Sequence, residues 1–546
     1  MSLLSLQNVH FTYRRATEPS LRGLDLEVSA GEWVGILGSA GAGKSTLAGL
    51  ACGLLPRFAS GALEGRLLLD GRPLGDWDRA ARAARIGLVM EDFEAQIFLG
   101  RVDLEVAFGP ENLGVSRPEI QRRIRETLAV VGLEGLEARP PNTLSGGQRQ
   151  RLVLAAVMAL RPALLFLDEP WSDLDPGGWL QLWPALRQHV PSGILTASDP
   201  SHLEGVDRLV LLREGRVLAQ GDPASILAND ELLDRAGVPL LPLAGLFRNM
   251  GRDERPASVE EAVHLLSAGP FDQTALADPP SSGPPVLEAQ GLSYVYPEGT
   301  AALTGVDLTV RSGEMVAILG RNGSGKTTLA RHFAGLLRPT AGTVRVHGRE
   351  LGARVAPRLG TEIGYIFQNP DHQIFAETVL DEVSFGPRNL GCTPGQVAER
   401  ATEALATVGL DGLEQEDPFA LSRGDRQRLA VASALAARPG ILLFDEPTTG
   451  LDSSSIAAMM DLLHGRVASG HTILFITHSM ELAARHAGRI VLLGGGRVLS
   501  DGPARQVMHD PQALGQAGLR APQLVELAAR LGLKACHIEE LSACLA

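Results

Sequence analysis

The stretch GSAGAGKS (38–45) decides the fold, and GRNGSGKT (320–327) repeats it. Both match the pattern G-x-x-x-x-G-K-[ST], and each stands between a buried apolar run, WVGILG (33–38) or MVAILG (315–320), and a helix start. Glycines let backbone N–H groups turn toward phosphate oxygens, and the helix N-terminus adds a favourable dipole. The pattern therefore predicts two phosphate-binding loops rather than two structural glycine-rich turns.

The lysine of each loop supports this interpretation. The chain has 50 basic residues, but lysine occurs only at Lys44, Lys326 and Lys534. A planar guanidinium cannot replace a compact ammonium inside a loop wrapped around phosphate. We expect Lys44 and Lys326 to reach the β- and γ-phosphates of a nucleotide, and Ser45 and Thr327 to bind Mg²⁺. The expected nucleotide contacts are Gly38, Ser39, Ala40, Gly41, Ala42, Gly43, Lys44, Ser45 and Thr46 in the first loop and Gly320, Arg321, Asn322, Gly323, Ser324, Gly325, Lys326, Thr327 and Thr328 in the second.

Downstream of each loop, an apolar run ends in acid, at Asp168 and Asp445. These aspartates are expected to hold Mg²⁺ through water at the carboxyl end of a strand. Glu169 and Glu446 follow directly, where a carboxylate suits a general base that polarises water for attack on the γ-phosphate. Short apolar runs between helical segments predict an α/β fold, with a mainly parallel sheet covered by helices on both faces.

The loops belong to an internal repeat. IGLVMEDFEAQIF (86–98) reappears as IGYIFQNPDHQIF (363–375), and LSGGQ reappears as LSRGD at the same offset. A duplicated domain explains this constant spacing. We predict a first domain over residues 1–235, a linker over 236–285 and a second domain with a helical tail over 286–546.

The predicted linker contains a run rich in breakers, PFDQTALADPPSSGPP (270–285), where clustered proline removes backbone donors. Upstream, SVEEAVHLLSA (258–268) has Ser followed by Glu three positions later, which predicts a short capped helix. Its apolar residues are expected to pack on the first repeat. In the C-terminal tail, LVELAARLGL (524–533) predicts a helix that could pack on its own repeat or on its counterpart.

Composition excludes several classes. The chain has 546 residues, of which 45% are hydrophobic and 21% charged, as in folded globular proteins. A net charge of −13 argues against a protein that binds nucleic acid by broad phosphate neutralisation. No apolar run approaches the roughly 18 residues of a membrane span, and Met1–His10 lacks a signal-peptide pattern, so we expect a cytosolic chain. Cys52, Cys392, Cys536 and Cys544 form no C-x-x-C pair, which argues against zinc, iron–sulfur and disulfide frameworks.

Together with the two loops and the acid-ended runs, LSGGQ (144–148) makes the chain resemble the ATP-binding-cassette (ABC) transporter ATPases. The resemblance covers almost the whole chain, twice. It implies two P-loop NTPase domains of ABC type in tandem, each with a mainly parallel sheet core, an antiparallel β part and a helical signature subdomain. It also implies ATP hydrolysis, with ATP and Mg²⁺ as cofactors. Tyr13 and Tyr296 look like the adenine-stacking aromatics of that family, although each could equally be a core residue.

In that family the P-loop of one copy meets the signature of the other, so the resemblance implies two composite sites within this chain. The first would place Lys44, Asp168 and Glu169 opposite the second signature, with Ser422 and Gly424 as nucleotide contacts. The second would place Lys326, Gln368, Asp445, Glu446 and His478 opposite Ser145, Gly146, Gly147 and Gln148.

Departures from the family pattern gather on the first composite site. Gln368, which would contact Mg²⁺, is matched by Glu91 in the first copy. His478 resembles the γ-phosphate switch histidine, and the spacing back from the next strand aligns it with Ala197. The second signature reads LSRGD (421–425) instead of LSGGQ. We hypothesise that the second site hydrolyses ATP rapidly and that the first binds ATP and turns over slowly. The alternative is neutral drift with two active sites, which the retained glutamate of the first site favours.

A narrower resemblance is carried by QNPDHQIF (368–375) and FGPRNLG (385–391). These segments look like those of the energy-coupling-factor (ECF) transporter ATPases with fused cassettes, whose transporters import vitamins, vitamin precursors and metal ions. The implied partners are an integral membrane scaffold subunit and a substrate-binding membrane subunit, with the chain peripheral on the cytoplasmic face of the cell membrane. Gln373–Phe375 and Gln96–Phe98 would form part of the docking surface. The alternative is a surface loop whose apolar residues turn inward.

Two other function classes stay open. One is the tandem ATPase of a binding-protein-dependent importer of sugars or similar solutes, in which the second catalytic set usually degenerates, whereas here it is intact. The other is a soluble ABC ATPase that acts on ribosomes or DNA. Such chains usually carry a long charged linker or a cysteine cluster, and this sequence has neither. The residues therefore favour the ECF class.

Overall fold

The phosphate-binding loops follow strands that are buried on both faces. In the first repeat Val34 and Ile36 lie in one apolar cluster, whereas Trp33 and Leu37 lie in another. Because successive side chains of a strand point to opposite faces, this alternation places a core on each side of the sheet. The second repeat follows the same rule.

The structure is a computed structural model, and it describes residues 2–14, 16–171, 176–256, 258–266, 283–297, 299–352, 359–448, 451 and 453–545. The chain forms two units, Met1–Leu241 and Pro242–Ala546. Most of the predicted breaker-rich linker, 270–285, lies outside the described residues, as do the ends of the two segments that follow Glu169 and Glu446.

The described strands of the first unit form two sheets. A six-stranded sheet has the order β10-β9-β3-β8-β7-β6, parallel except for the β9–β10 hairpin, and an antiparallel four-stranded sheet has the order β2-β1-β4-β5. The strands are β1 (Ser2–Tyr13), β2 (Leu21–Ser29), β3 (Trp33–Leu37), β4 (Gly61–Leu69), β5 (Arg72–Pro73), β6 (Ile86–Val89), β7 (Leu164–Asp168), β8 (Gly193–Ala197), β9 (Arg208–Arg213) and β10 (Arg216–Gly221). The helices are α1 (Lys44–Ala51), α2 (Arg79–Ala83), α3 (Val102–Asn112), α4 (Arg117–Val131), α5 (Gly146–Met158), α6 (Pro176–His189), α7 (Pro223–Leu227) and α8 (Asp230–Ala236).

The second unit repeats this topology in its described residues, with sheets ordered β16-β17-β18-β13-β19-β20 and β12-β11-β14-β15. The strands are β11 (Pro285–Val295), β12 (Ala301–Arg311), β13 (Met315–Leu319), β14 (Ala341–Val346), β15 (Arg349–Glu350), β16 (Ile363–Ile366), β17 (Ile441–Asp445), β18 (Thr472–Ile476), β19 (Arg489–Gly494) and β20 (Arg497–Pro503). The helices are α9 (Pro242–Asn249), α10 (Val259–Leu266), α11 (Lys326–Phe333), α12 (Leu359–Glu362), α13 (Val379–Asn389), α14 (Pro394–Val408), α15 (Arg423–Ala436), α16 (Ser453–Ala468), α17 (Met480–His486), α18 (Ala504–Met508), α19 (Pro511–Gln516), α20 (Gln523–Arg530) and α21 (Ile538–Leu545).

Each unit therefore has the three predicted parts. One face of the main sheet packs against the antiparallel sheet and the P-loop helix, α1 or α11. The other face packs against a cluster that includes the three helices α3–α5 in the first unit and α13–α15 in the second. The predicted α/β fold with a mainly parallel sheet is confirmed in both repeats.

The segment between the repeats differs from its expected packing. The helix predicted over 258–268 is α10, but its apolar residues lie in one cluster with α9 and the tail helices α20 and α21, all in the second unit. This corrects the expectation that they pack on the first repeat. The apolar stripe of the tail thus covers helices that precede the second repeat in the chain.

No helix in the part of the chain that the structure describes is both long and apolar enough to cross a membrane. Among the described residues, Cys52, Cys392, Cys536 and Cys544 form no disulfide, and Cys536 and Cys544 are buried. Burial raises the pKa of Cys52 to about 12.

Candidate nucleotide sites

Each phosphate-binding loop turns into its helix through a glycine that no other residue can replace. Gly43 and Gly325 have φ of 104° and 102°, in the left-handed region. A Cβ on Gly43 would lie 2.8 Å from the Ser20 carbonyl oxygen, and one on Gly325 would lie 2.6 Å from that of Ala302. Both the backbone angle and the close approach therefore require glycine.

The two loop lysines are buried and fold back over their own loops. Lys44 Nζ donates to the carbonyl oxygens of Gly38 at 2.8 Å and Ser39 at 3.1 Å. Lys326 Nζ does the same with Gly320 at 2.7 Å and Arg321 at 3.1 Å. An ammonium held over a glycine-rich loop at the start of a helix is placed to contact phosphate oxygens.

The aspartates end the strands β7 and β17 and are buried, but different hydroxyls hold them. Thr196 Oγ1 donates to Asp168 Oδ1 at 2.6 Å. In the second unit, Thr327 Oγ1 donates to Asp445 Oδ1 at 3.0 Å, and the Tyr365 hydroxyl donates to Oδ2 at 3.0 Å. Burial, followed by the charge of Glu446, raises the pKa of Asp445, and these two hydrogen bonds oppose the rise.

The neighbouring glutamates adopt positive φ, 47° at Glu169 and 58° at Glu446. Non-glycine residues in this region are strained, and such strain gathers at functional sites. Glu446 Oε1 lies 2.7 Å from His478 Nε2. Glu169 instead forms an ion pair with Lys44 at 3.2 Å.

Burial raises the pKa of Glu169. Lys44 lowers this pKa, whereas the charges of Glu91 and Asp168 raise it further, so that the pKa of Glu169 stays above its ordinary value. Glu91 therefore lies close enough to Glu169 to affect its pKa. This position agrees with the sequence match of Glu91 to Gln368.

Strand register corrects the predicted match between His478 and Ala197. Asp168 pairs with Thr196, and Asp445 pairs with Ile476, so Thr196 and Ile476 are equivalent. Two positions further along, His478 is therefore equivalent to Ser198. The contacts agree, because Ser198 Oγ donates to Glu169 Oε2 at 3.2 Å.

The misalignment has a local cause. The first unit follows β8 with a short 3₁₀ turn, Pro200–Leu203, whereas the second unit has the helix α17. The connection back to the next strand is therefore one residue shorter in the first unit. Counting from Arg208 and Arg489 shifted the match by one position.

The two signatures cap helices α5 and α15 in different ways. Ser145 Oγ accepts from Gln148 N at 3.3 Å, and Ser145 N donates to the Gln148 side chain at 3.0 Å, which is a capping box. Ser422 Oγ accepts from Asp425 N at 3.1 Å and also donates to the Asp425 carboxylate at 2.7 Å. The second signature therefore commits its serine proton to its own helix. Asp425 also places a carboxylate at the end of the helix where an anion would approach.

The segments predicted to dock a partner are built alike in both units. Gln96 bonds Met90 N and the Leu88 carbonyl oxygen, and Gln373 bonds Phe367 N and the Ala430 carbonyl oxygen. Ile374 is also buried. Of each predicted triplet, the phenylalanine is therefore the residue that faces solvent.

Phe98 and Phe375 are each 60% exposed. Each forms an edge-to-face pair with a second exposed phenylalanine, Phe108 with a centroid distance of 4.6 Å and Phe385 with one of 4.7 Å. We call these the aromatic pairs. Sequence reasoning missed Phe108 and Phe385, although the repeated F-G-P tripeptide was a signal for them.

The tyrosines near the domain starts lie beside the loop helices. Tyr13 and Thr46 hydroxyls are 3.2 Å apart, and those of Tyr296 and Thr328 are 3.0 Å apart. Both rings are half-buried, which is compatible with either predicted role, adenine stacking or core packing.

The oxygen donors fit Mg²⁺, which prefers one or two carboxylates together with phosphate oxygens. The second unit offers Thr327 and Asp445, and the first offers Ser45 and Asp168. Gln368 stands two residues past the end of β16, the strand beside β17. No group of three or more His, Cys, Asp or Glu residues suited to a metal occurs among the described residues.

Comparison with known proteins gives consistent matches. The family profile described as ABC transporter matches residues 21–172 and 303–449, once in each repeat. A protein of Caldanaerobacter subterraneus subsp. tengcongensis, named as ABC transporter ATP-binding protein TTE1589, is 41% identical over 557 residues, which cover 99% of this chain and 98% of the relative. A Methanosarcina acetivorans protein named as an ABC transporter ATP-binding protein is 37% identical over 97% of this chain and 89% of the relative. Among solved structures, cbiO1 from Clostridium perfringens, described as part of the ABC transporter complex cbiONQ, is 32% identical over 44% of this chain and 98% of that chain, with a TM-score of 0.39.

Proposed function

The chain belongs to the ABC transporter family, and we propose that it is the energy-coupling ATPase of an ECF-type importer of a vitamin, a vitamin precursor or a metal ion. ABC transporter ATP-binding proteins hydrolyse ATP and work with membrane subunits. The proposal adds the class of importer, a scaffold subunit and a substrate-binding membrane subunit as partners, and attachment to the cytoplasmic face of the membrane.

The aromatic pairs carry the proposal. Each pair exposes two large apolar rings side by side, and the same arrangement occurs in both repeats. Exposed, clustered aromatic side chains favour burial against a partner. Two copies of one patch suit a membrane subunit that contacts both repeats with similar helices.

The aromatic pairs are rigidly supported. The buried carboxylate of Glu105 accepts from Phe98 N at 3.2 Å, and that of Glu382 accepts from Phe375 N at 3.0 Å. Because the backbone of each exposed ring is fixed by a buried acid, partner binding needs little reordering.

A salt bridge reaches the signature helix from the residue two positions before each docking segment. Glu94 pairs with Arg149 at 2.6 Å, and Asp371 pairs with Arg426 at 2.7 Å. Arg149 and Arg426 lie in the first turn of α5 and α15, close to the serine caps. A partner that binds the docking segment would therefore be connected, through this salt bridge, to the signature residues proposed to face ATP.

The docking surface predicts a loss of assembly. The test variant replaces Phe98, Phe108, Phe375 and Phe385 by Ser. From detergent-solubilised membranes, it should co-purify about tenfold less or worse with an integral membrane scaffold and a small substrate-binding membrane protein. Phe58→Ser is the matched control, because Phe58 is 83% exposed and lies outside the aromatic pairs. Unchanged co-purification of the fourfold variant, or recovery of the wild-type chain on ribosomes, would contradict the proposal.

We assign ATP hydrolysis chiefly to the second site. Lys326 would hold the β- and γ-phosphates, Glu446 would polarise the attacking water, and His478 would orient Glu446 through their 2.7 Å contact. Bound Mg²⁺ would neutralise phosphate charge, held by Thr327, Asp445 and Gln368. The first site would bind ATP with slow turnover, because Ser198 replaces the histidine and Glu169 is paired with Lys44.

Tryptophan fluorescence should report ATP at the first site. All five tryptophans lie in the first unit, and Trp171, two residues after Glu169, stacks on His202 at 4.4 Å. We expect MgATP to change the emission saturably in the wild-type chain and in Lys326→Ala, but not in Lys44→Ala or Trp171→Phe. A signal that survives in Lys44→Ala and disappears in Lys326→Ala would place the responding nucleotide at the other loop.

A further inference from the structure

The strand that carries each metal-binding aspartate has a neighbour on both sides. In the first unit β7 lies between β8 and β6, and in the second unit β17 lies between β18 and β16. The hydroxyl that holds Asp168 comes from Thr196 on β8. The one that holds Asp445 Oδ2 comes from Tyr365 on β16, on the opposite side.

Strand register explains why the two residues differ in size. Thr196 pairs directly with Asp168, so a short side chain reaches the carboxylate. Tyr365 pairs with Leu443, which lies two residues before Asp445 and on the same face of β17. The Tyr365 side chain must therefore extend about 6.6 Å along the strand to reach Asp445. The phenol spans this distance, and its hydroxyl lies 3.0 Å from Asp445 Oδ2.

The exchange between the repeats is reciprocal. The position of Tyr365 is occupied in the first repeat by Leu88, which pairs with Phe166 as Tyr365 pairs with Leu443. The position of Thr196 is occupied in the second repeat by Ile476, which is buried and cannot donate. Each repeat therefore retains one neighbouring hydroxyl for its aspartate, although the side from which it comes has changed.

We propose that Tyr365 is a positioning residue that fixes Asp445 for the Mg²⁺ of bound ATP, and that Thr196 serves Asp168 in the same way. The inference rests on the proposed MgATP site of the second unit. With Thr327 on Oδ1 and Tyr365 on Oδ2, both oxygens of Asp445 are held, so the carboxylate cannot rotate. Neutral donors orient it while leaving its charge for the cation.

A second feature of the same site accompanies Tyr365. Arg331 on α11 lies close enough to lower the pKa of Asp445 and of Tyr365. The equivalent residue of α1 is Gly49, so the first site has no arginine at this position. The tyrosine and the arginine therefore belong to the second site, whereas the first repeat has Leu88 and Gly49 in their places.

The test measures metal-dependent nucleotide binding. The full chain carries Lys44→Ala so that a fluorescent ATP analogue reports the second site, and its affinity is measured in EDTA and across a Mg²⁺ titration. Tyr365→Phe should raise the Mg²⁺ concentration at half effect about 10- to 100-fold, the usual cost of removing a partner of a metal ligand. Affinity in EDTA should remain unchanged.

The first repeat supplies the rescue. Ile476→Thr, added to Tyr365→Phe, places a hydroxyl where Thr196 stands and should return the Mg²⁺ midpoint toward that of the parent. Ile476→Val is the matched control, because it shortens the same side chain without adding a donor, and it should not rescue.

Two results would overturn the inference. One is an unchanged Mg²⁺ midpoint in Tyr365→Phe. The other is an equal loss of affinity with and without Mg²⁺, which would mean that the tyrosine only stabilises the fold. The measurement involves neither hydrolysis nor transport, so it stands or falls separately from the ECF assignment.

Discussion

Glu446→Gln is expected to abolish steady-state ATP hydrolysis, with a loss of at least about 100-fold, because a general base contributes about 10²- to 10⁴-fold. Glu169→Gln should leave most of the activity. Both are measured as phosphate release at saturating MgATP. The amide is nearly isosteric with the carboxylate, so the two variants should fold and bind ATP like the wild-type chain.

The expected difference follows from what each glutamate contacts. Glu446 is buried, and its carboxylate lies against His478, which can orient it as a base. Glu169 is paired with Lys44, and its switch position holds Ser198, whose hydroxyl donates one hydrogen bond to Glu169 where the other repeat has an imidazole. Burial keeps the pKa of Glu169 raised, and Glu91 adds to this effect.

Equal losses in the two variants would refute the asymmetry and favour two firing sites. A loss confined to Glu169→Gln would reverse the assignment. Retained binding of a fluorescent ATP analogue in both variants is the control that separates lost chemistry from lost nucleotide.

The sequence was sufficient for the fold because its strongest signals are local. A glycine-rich loop between an apolar run and a helix start requires a strand–loop–helix unit, and the repeat doubled every such signal. The three-part architecture then followed from the family resemblance. The signatures that contain Ser145 and Ser422 were visible as motifs, although the caps that these serines form were not predicted.

Features set by pairing across strands were beyond a linear comparison. The match of His478 to Ser198 depends on strand register, and the loop that follows differs by one residue between repeats. Tyr365 and Thr196 are separated from their aspartates along the chain and meet them only in the sheet. A polar residue inside an apolar run, as in IGYIF, was the available signal.

Packing between distant segments was equally hidden. The apolar faces of α10 and α20 were recognised in the sequence, but the elements that cover them were not. An amphipathic stripe shows that a helix face must be buried, but it does not show which element buries it. The structure pairs the two stripes with each other in one cluster.

Ser145→Arg is expected to reduce ATP hydrolysis by about 100-fold or more, the scale of losing a donor that stabilises developing charge. The family resemblance implies that Ser145 of one repeat would face the γ-phosphate held by Lys326 of the other, where a long side chain would prevent the site from closing. Ser422→Arg should cost about threefold or less, because it faces the slow site and its signature already departs from the family pattern.

The two substitutions form a matched pair because both serines are helix N-caps. Each variant loses a cap worth about 1 kcal/mol, so their melting temperatures should fall alike. A difference in activity without a difference in stability then reports which signature serves the active site. If Ser422→Arg were the inactive variant while Glu446→Gln also abolished hydrolysis, the P-loop at Lys326 would be served by its own repeat's signature, and the composite site would not survive.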